Sequence, residues 1–150
     1  MEFAIRRAEP AESERITALT RASKAHWGYP PELMDLWWEN LAIPAEYIAA
    51  HPTFVAEREG RILGYCSLSG AGEIWELDNL FIDPEYIGQG VGKGLFEFAL
   101  AQLRASGARR VRIVADPHAE SFYAKHGARR IGKVPSIPPG RELPLLALDL

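Results

Sequence analysis

The sequence predicts an α/β (α+β) fold built on a mixed central sheet. Apolar segments with strand-like alternation recur along the chain, amphipathic helical segments lie between some of them, and Gly- or Pro-containing breaks separate the segments. The resulting order is β, α, α, a short helical turn, three consecutive strands, then α, β, α, β, β. The three consecutive strands indicate an antiparallel front, and the helix that follows them indicates a parallel crossover. The chain has 150 residues and shows neither a repeat nor a linker, so we expect residues 1–150 to form one domain.

The N-terminal third contains one strand and two helices. Residues 2–8 (EFAIRRA) alternate apolar and polar side chains, as a strand does. Pro10 opens a helix with acidic residues in its first turn, and that helix ends near the HWGYPP stretch. A second helix is expected from about residue 32 to residue 41, and residues 44–51 (PAEYIAAH) form a helical turn.

The middle third contains three strands and the longest helix. Residues 53–57 and 62–69 flank REGR, a hairpin turn in which Gly60 can adopt positive φ. Residues 73–83 (EIWELDNLFID) form a long strand that Pro84 ends. A helix is expected from about residue 90 to residue 106, because its apolar residues cover one broad face and Gly107 can end it.

The C-terminal third alternates strand and helix and then ends in two strands. Residues 109–115 predict a strand, residues 118–126 a helix that Gly127 ends, and residues 128–134 a strand. Residues 143–150 (LPLLALDL) predict the last strand, and Pro144 is expected to keep it near an edge or a bulge.

The composition excludes several classes of protein. The net charge of -3 does not suggest a nucleic-acid partner, and no apolar segment reaches the roughly 20 residues of a membrane helix. Cys66 is the single cysteine, so no disulfide framework can form within the chain, and a cytoplasmic location is expected. His118 and His126 lie too far apart, without a suitable partner, to predict a metal site.

Residues 87–94 (IGQGVGKG) join the long strand to the long helix and predict a phosphate site. Backbone N–H groups at a glycine-rich helix N-terminus are accessible donors, and the helix dipole favours an anion there. The Walker spacing fails because Ile87 stands at its first glycine and Gly94 at its Ser/Thr. The dinucleotide spacing fails from either Gly88 or Gly90. A coenzyme A pyrophosphate is the third ligand class that fits such a loop.

Two segments resemble the acyl-CoA-binding core of the GCN5-related N-acetyltransferases (GNAT family). Residues 87–92 (IGQGVG) are similar to the family's [R/Q]-x-x-G-x-[G/A] motif, with Ile87 in place of Arg or Gln. Residues 116–128 (DPHAESFYAKHGA) are similar to its second motif, N-x-x-A-x-x-x-Y-x-K-x-G-F. The resemblance implies an acyl-CoA N-acyltransferase fold with about seven strands, helices on both faces, and fourth and fifth strands that splay apart.

The resemblance also implies how acetyl-CoA would bind. The acyl-pantetheine would lie between the splayed strands and pair with the backbone of Leu80, Phe81 and Ile82, like an added strand. The pyrophosphate would be held by the loop, and Lys93 would add positive charge. Asp116 stands where the family has the Asn that contacts pantetheine. The loop residues assigned to the cofactor in this way are Gly88, Gln89, Gly90, Val91, Gly92 and Lys93.

The catalytic groups are assigned by the same resemblance. Tyr123 occupies the position of the family's general acid, which protonates the departing thiolate. Glu76 and Asp78 lie two residues apart on one face of the long strand and are candidates for the base, often acting through water. Alternatively, Tyr123 is a core tyrosine, and the two acids are solvated residues of the strand.

The resemblance implies an enzyme that transfers acetyl directly from acetyl-CoA to a primary amine, with a small-molecule amine as the expected acceptor and a homodimer as a common assembly. A protein N-terminal or lysine acetyltransferase and a non-catalytic acyl-CoA-binding or sensing module are the alternatives. His26, Trp27 and Tyr29 lie in the loop that covers the acceptor side in the family. They are candidates for substrate contact, although aromatic residues can equally fasten such a loop to the core.

Overall fold

The computed structural model describes all residues from Met1 to Leu150. Its strands form one seven-stranded sheet in the order β1-β2-β3-β4-β5-β7-β6, so the predicted mixed α/β sheet is confirmed. The pairing of β4 with β5 is parallel, while β1–β2, β2–β3, β5–β7 and β6–β7 are antiparallel. The strands are β1 Ala4–Arg7, β2 Thr53–Arg58, β3 Arg61–Ala71, β4 Ile74–Ile82, β5 Arg110–Val114, β6 Arg129–Pro135 and β7 Glu142–Asp149. The helices are α1 Ser13–Ala25, α2 Pro31–Trp37, α3 Ala45–Ala50, α4 Val91–Ala105 and α5 Glu120–Lys125.

Contacts within the chain define two compact units. The first contains residues 1–68 and 79–99, and the second contains residues 69–78 and 100–150. No helix is long and apolar enough to cross a membrane.

The first unit carries helices on both faces of its strands. Tyr65 of β3 has its hydroxyl 2.7 Å from the hydroxyl of Thr20 in α1. The next residue, Cys66, points to the opposite face and lies against the Leu95 carbonyl of α4. One apolar cluster lies on the α1 and α3 side and includes Ala8, Ile16, Leu19, Ile43, Ile48, Val55, Ile62 and Tyr65.

The second unit buries apolar side chains of its own strands and of α5. Leu146, Ala147 and Leu148 of β7 are buried between the pairings with β5 and β6. Tyr123 of α5 and Val111 of β5 are also buried. The unit therefore has a core of its own.

Two sequence expectations are corrected by the structure. Helix α2 ends at Trp37, not near residue 41, because backbone bonds beyond it shorten to a three-residue spacing: the Trp38 N–H donates to the Asp35 carbonyl and the Ala42 N–H to the Glu39 carbonyl. Just past this end, the Trp38 carbonyl accepts from the Arg21 guanidinium at 2.9 Å. Strand β7 is an inner strand, so the edge position expected for Pro144 is wrong, whereas the expected bulge has a counterpart in the irregular β6–β7 register between Arg130 and Gly132, close to Pro144. Pro144 is tolerated there because it lies beyond the last pair of the β5 ladder, Val114 with Leu145, and its carbonyl accepts from the Ala115 N–H.

Candidate active site

The glycine loop in the first unit presents backbone donors at the start of α4. The first hydrogen bond of this helix runs from the Gly94 N–H to the Gly90 carbonyl at 3.0 Å. The N–H groups of Val91, Gly92 and Lys93 therefore precede it and have no carbonyl one turn earlier in the helix. These three residues belong to the set that the sequence assigns to the pyrophosphate.

Open space surrounds the loop where a side chain would otherwise stand. Gly88 and Gly90 have φ values of 81° and 89°, which L side chains rarely adopt. A Cβ built on either residue meets no atom of the protein within 4 Å. The loop therefore needs glycine for its backbone conformation, and its outer side is accessible to a ligand.

Polar contacts that the sequence did not reveal hold the turn that leads into the loop. The Asp83 carboxylate accepts from the Glu85 N–H at 3.0 Å and from the Arg61 guanidinium at 3.0 Å. The Gln89 amide nitrogen donates to the Glu85 carbonyl at 3.0 Å. Gln89 thus braces the turn with its side chain, and a phosphate contact from this residue would come from its backbone. The Asp-Pro pair at the end of the strand was the available sequence signal for the Asp83 cap.

The end of β4, residues Leu80–Ile82, is held firmly against β3. The Asp83 N–H donates to the Leu63 carbonyl at 2.9 Å, and the Phe81 ring stacks on Tyr65 with centroids 6.0 Å apart. The parallel ladder with β5 pairs Ile74–Leu77 with Arg110–Ile113 and continues no further. Leu80–Ile82 therefore lie beyond the last β4–β5 pair, as the splay of the two strands requires.

The two candidate bases lie in the second unit and each has a polar neighbour. The Glu76 carboxylate lies 3.4 Å from Nε of Arg112, and this buried Nε makes no hydrogen bond. The Asp78 carboxylate accepts from the Ser69 hydroxyl at 2.9 Å. Glu76 is half-buried and Asp78 is exposed. The Arg112 guanidinium occupies one side of the Glu76 carboxylate.

Tyr123 and Asp116 also lie in the second unit. Tyr123 is buried in α5, where its ring packs edge-on against Phe122 with centroids 5.3 Å apart. An Asp116 oxygen accepts from the His118 N–H at 2.8 Å and lies 2.8 Å from Nδ1 of the His118 ring. Asp116 thus caps the short turn Pro117–Ala119 before α5. Its contact with pantetheine stays a prediction.

The predicted acceptor loop in the first unit has a fastened residue and two exposed ones. The Tyr29 ring packs edge-on against the buried Trp37, with centroids 4.9 Å apart, and the Lys24 ammonium lies 5.0 Å from the centroid of each ring. His26 and Trp27 are exposed and contact each other edge-on at 5.3 Å. Tyr29 therefore fastens the loop to α2, while His26 and Trp27 face solvent.

A polar cluster between α3, β3 and β4 was missed by the sequence analysis. The hydroxyl of the fully buried Ser67 accepts from the Tyr47 hydroxyl at 3.0 Å and from the Asn79 amide nitrogen at 2.8 Å. Asn79 directly precedes Leu80 in β4. The only sequence signal for this cluster was Ser67, a polar residue in the otherwise apolar segment 62–68.

Comparison with known proteins gives one family. The family model described as acetyltransferase (GNAT) family matches residues 11–128. The peptidyl-lysine N-acetyltransferase YjaB of Salmonella typhimurium is 31% identical over 146 residues, which cover 96% of this chain and 95% of that protein. A Bacillus subtilis protein named for N-acetylation of an alanine of ribosomal protein bS18 is 33% identical over 76 residues. That match covers 49% of this chain, and the chain spans 50% of that relative.

Solved structures share the fold. The GCN5-related N-acetyltransferase from Rhodopseudomonas palustris superposes with a TM-score of 0.84 at 23% identity, covering 100% of this chain and 97% of the other. The PaiA N-acetyltransferase from Thermoplasma acidophilum, solved in complex with coenzyme A, gives a TM-score of 0.82 at 20% identity and covers both chains completely. The predicted acyl-CoA N-acyltransferase fold is confirmed.

Proposed function

The chain belongs to the acetyltransferase (GNAT) family and is an acetyl-CoA-dependent N-acetyltransferase, and we propose that it transfers the acetyl group directly to a primary amine. The observation that carries the proposal is the glycine loop at the start of α4. Its Val91, Gly92 and Lys93 N–H groups precede the first helical hydrogen bond, and its outer side is open. Such a loop offers donors and a favourable dipole to the pyrophosphate of acetyl-CoA.

In this proposal the residues divide between cofactor and chemistry. Gly88 to Lys93 bind the pyrophosphate, mainly through backbone donors, and Leu80–Ile82 pair with the pantetheine arm. Asp116 adds a contact to that arm. The resemblance to the family supports these assignments, and the position of Leu80–Ile82 beyond the β4–β5 ladder is consistent with them.

In the proposed chemistry the acceptor nitrogen loses two protons, and a C–N bond replaces the C–S bond of the thioester. The acceptor ammonium loses a proton to a base, and its nitrogen then forms the C–N bond to the acetyl carbon as the C–S bond breaks. Tyr123 gives its proton to the departing thiolate and is reprotonated by the proton that the new amide nitrogen releases. The products are an N-acetylated amine, coenzyme A with a free thiol, and one proton.

Glu76 and Asp78 are both proposed as groups that take the first proton, directly or through water. The Arg112 ion pair of Glu76 and the Ser69 hydrogen bond of Asp78 give the two carboxylates different surroundings. Comparing Glu76→Gln with Asp78→Asn under saturating acetyl-CoA separates them. The base is the residue whose loss lowers kcat at neutral pH and is partly compensated at higher pH, where more of the acceptor is already neutral.

A small-molecule amine is the proposed acceptor. A lysine side chain within a protein is the second candidate, and one observation favours it, namely the likeness over 96% of the chain to a protein named as a peptidyl-lysine acetyltransferase. Both acceptors offer a primary amine on a flexible arm. His26 and Trp27, exposed in the loop after α1, are proposed to contact the acceptor, and Tyr29 to hold that loop in place.

Thiol release from acetyl-CoA tests the proposal. The acceptor panel contains spermidine, free amino acids, an aminoglycoside, a peptide with a free N-terminus, and the same peptide with a blocked N-terminus and one lysine. Turnover of a small amine supports the proposed acceptor, and turnover of the blocked lysine peptide alone supports the second candidate. An acetyl-CoA-dependent rise in melting temperature without any turnover identifies a binding or sensing module and refutes catalysis.

We also propose that residues 1–150 act as one catalytic domain, that the protein forms a homodimer, and that it works in the cytoplasm. The family resemblance supports the first two proposals. The absence of any cysteine besides the buried Cys66 supports the third. Light scattering after size exclusion, with and without acetyl-CoA, measures the assembly.

A further inference from the structure

Tyr47, Ser67 and Asn79 form a polar cluster that holds the half-exposed amide of Asn79 in place. Ser67 is fully buried, and its hydroxyl oxygen accepts from both neighbours. The Tyr47 ring stacks on His51 with centroids 4.2 Å apart and an interplanar angle of 20°. His51 is tied back through its Nδ1, which lies 3.1 Å from the Tyr47 carbonyl oxygen. The Asn79 amide is therefore anchored through its nitrogen to a fixed acceptor.

The pairing of β3 with β4 departs from regular alternation where Asn79 lies. Ser67 and Ser69 are two residues apart in β3 and so project from the same face of that strand. Ser67 bonds to Asn79 and Ser69 bonds to Asp78, although Asp78 and Asn79 are consecutive. Two consecutive side chains of β4 that reach alternate side chains of β3 indicate a local irregularity in this strand pair, and such irregularities often re-aim a side chain beside an active site.

Asn79 lies next to the segment proposed to bind the acyl group and on the side of the strands that carries α1. Asn79 directly precedes Leu80–Ile82, the segment proposed to hold the acyl-pantetheine. On β3, Ser67 projects to the same face as Tyr65, and the Tyr65 hydroxyl contacts Thr20 of α1. Asn79 thus lies on the α1 side of the strands, and α1 leads into the predicted acceptor loop.

We infer that the Asn79 amide oxygen accepts a hydrogen bond from the acceptor amine and orients it for attack. The inference rests on the proposed function. The amide nitrogen is engaged by Ser67, which leaves the oxygen as the available end of the group. A neutral primary amine has two N–H groups and one lone pair, so an acceptor that holds one N–H directs the lone pair elsewhere. An amide cannot take the proton at neutral pH and so does not compete with the base. Tyr47 and Ser67 are positioning residues that fix the amide.

The test compares Asn79→Leu, which removes the amide, with Asn79→Asp, which keeps an oxygen acceptor. Both are assayed with the fastest amine among spermidine, lysine and a blocked lysine peptide. For Asn79→Leu, kcat/KM for the amine is expected to fall by about 10- to 100-fold, the effect of leaving the N–H of the bound amine without its acceptor. The dissociation constant of acetyl-CoA, measured by calorimetry, should stay within about twofold, and Asn79→Asp should regain most of the lost kcat/KM.

Tyr47→Phe provides a milder second variant, because it removes only the anchoring hydroxyl and keeps the stacked ring. It is expected to raise KM for the amine several-fold and to leave acetyl-CoA binding unchanged. An unchanged kcat/KM for the amine in Asn79→Leu would overturn the inference, as would a parallel loss of acetyl-CoA affinity, which would show a purely structural role. If Asn79→Leu does not fold, Tyr47→Phe decides: an unchanged KM for the amine, or a parallel loss of acetyl-CoA affinity, would overturn the inference. A wild-type protein that binds acetyl-CoA but acetylates none of the amines would overturn the proposed function itself.

Discussion

Gly90 and Gly107 lie at opposite ends of the same helix and make a matched pair for testing the phosphate loop. Their φ values are 89° and 87°, and a Cβ on either would meet no protein atom within 4 Å. Alanine at either position therefore pays only the backbone strain of a left-handed conformation, about 1–2 kcal/mol. In a chain of this length that strain lowers the melting temperature by roughly 2–8 °C. We expect Gly90→Ala and Gly107→Ala to lose about the same stability.

The two variants should differ in their affinity for acetyl-CoA. The methyl group that Gly90→Ala adds would lie in the open space beside the N–H donors of Val91 and Gly92. The methyl group of Gly107→Ala would lie beyond the far end of α4. A hydrogen bond to a charged phosphate is worth about 1.5–3 kcal/mol, so losing one weakens binding by roughly 10- to 100-fold. Isothermal titration calorimetry with acetyl-CoA measures this difference directly. Equal affinities in the two variants, with equal melting temperatures, would refute the loop assignment.

Three further substitutions and one labelling experiment test other parts of the structure. Tyr123→Phe keeps the buried ring but removes the hydroxyl, so kcat should fall by about 100-fold or more while the dissociation constant of acetyl-CoA stays unchanged. A near-normal kcat in this variant would exclude Tyr123 as the general acid. Arg6→Ala removes the guanidinium that lies 2.7 Å from the largely buried Glu12 carboxylate and should cost about 2–3 kcal/mol in urea unfolding at neutral pH. The Arg6 hydrogen bond holds the pKa of Glu12 below its ordinary 4.5, so this stabilisation is present above pH 4.5 and is lost as the pH falls through the lowered pKa. The free energies of unfolding of the variant and the wild type should therefore converge in acid, and a difference that stays constant with pH would contradict the pairing. Burial raises the pKa of the Cys66 thiol to about 12, so a disulfide reagent at about pH 8 should label the protein only after unfolding, and rapid labelling of the native protein would contradict that burial. Gly64→Ala would place a Cβ 2.8 Å from a side-chain carbon of β4 and should destabilise the protein by about 1–3 kcal/mol. Thermal unfolding measures this loss, and an unchanged melting temperature would show that β4 shifts to accommodate the Cβ without cost.

The sequence predicted the order of elements because its period and its breaks are local signals. The strand β3 and the helix α4 were found within two residues of their ends, since each has a clear apolar pattern and a glycine or hairpin boundary. Helix α2 was placed too long, and the Trp38 carbonyl just past its end is bound by the guanidinium of Arg21, which comes from a different helix. A contact between residues 17 positions apart leaves no local trace in the sequence.

The candidate site was predicted unevenly for the same reason. The loop of Gly88 to Lys93 could be located because its alternating glycines are a local signal in the sequence. The neighbours of Glu76 and Asp78 could not, since Arg112 comes from the paired strand β5 and Ser69 from β3. The anchoring of Asn79 by Ser67 and Tyr47 likewise depends on strand register and on α3, which a motif does not encode.

The threading of the chain through its two units has a consequence for synthesis on the ribosome. The backbone passes from one unit to the other three times, after residues 68, 78 and 99. A nascent chain that ends at Ala99 already contains Ile74–Leu77 but lacks Arg110–Ile113, its partner in the parallel ladder. Until the C-terminal third emerges, that strand segment has an open edge that can pair with another nascent chain. Slow translation after this point should therefore favour aggregation, and a chaperone that covers strand edges should suppress it.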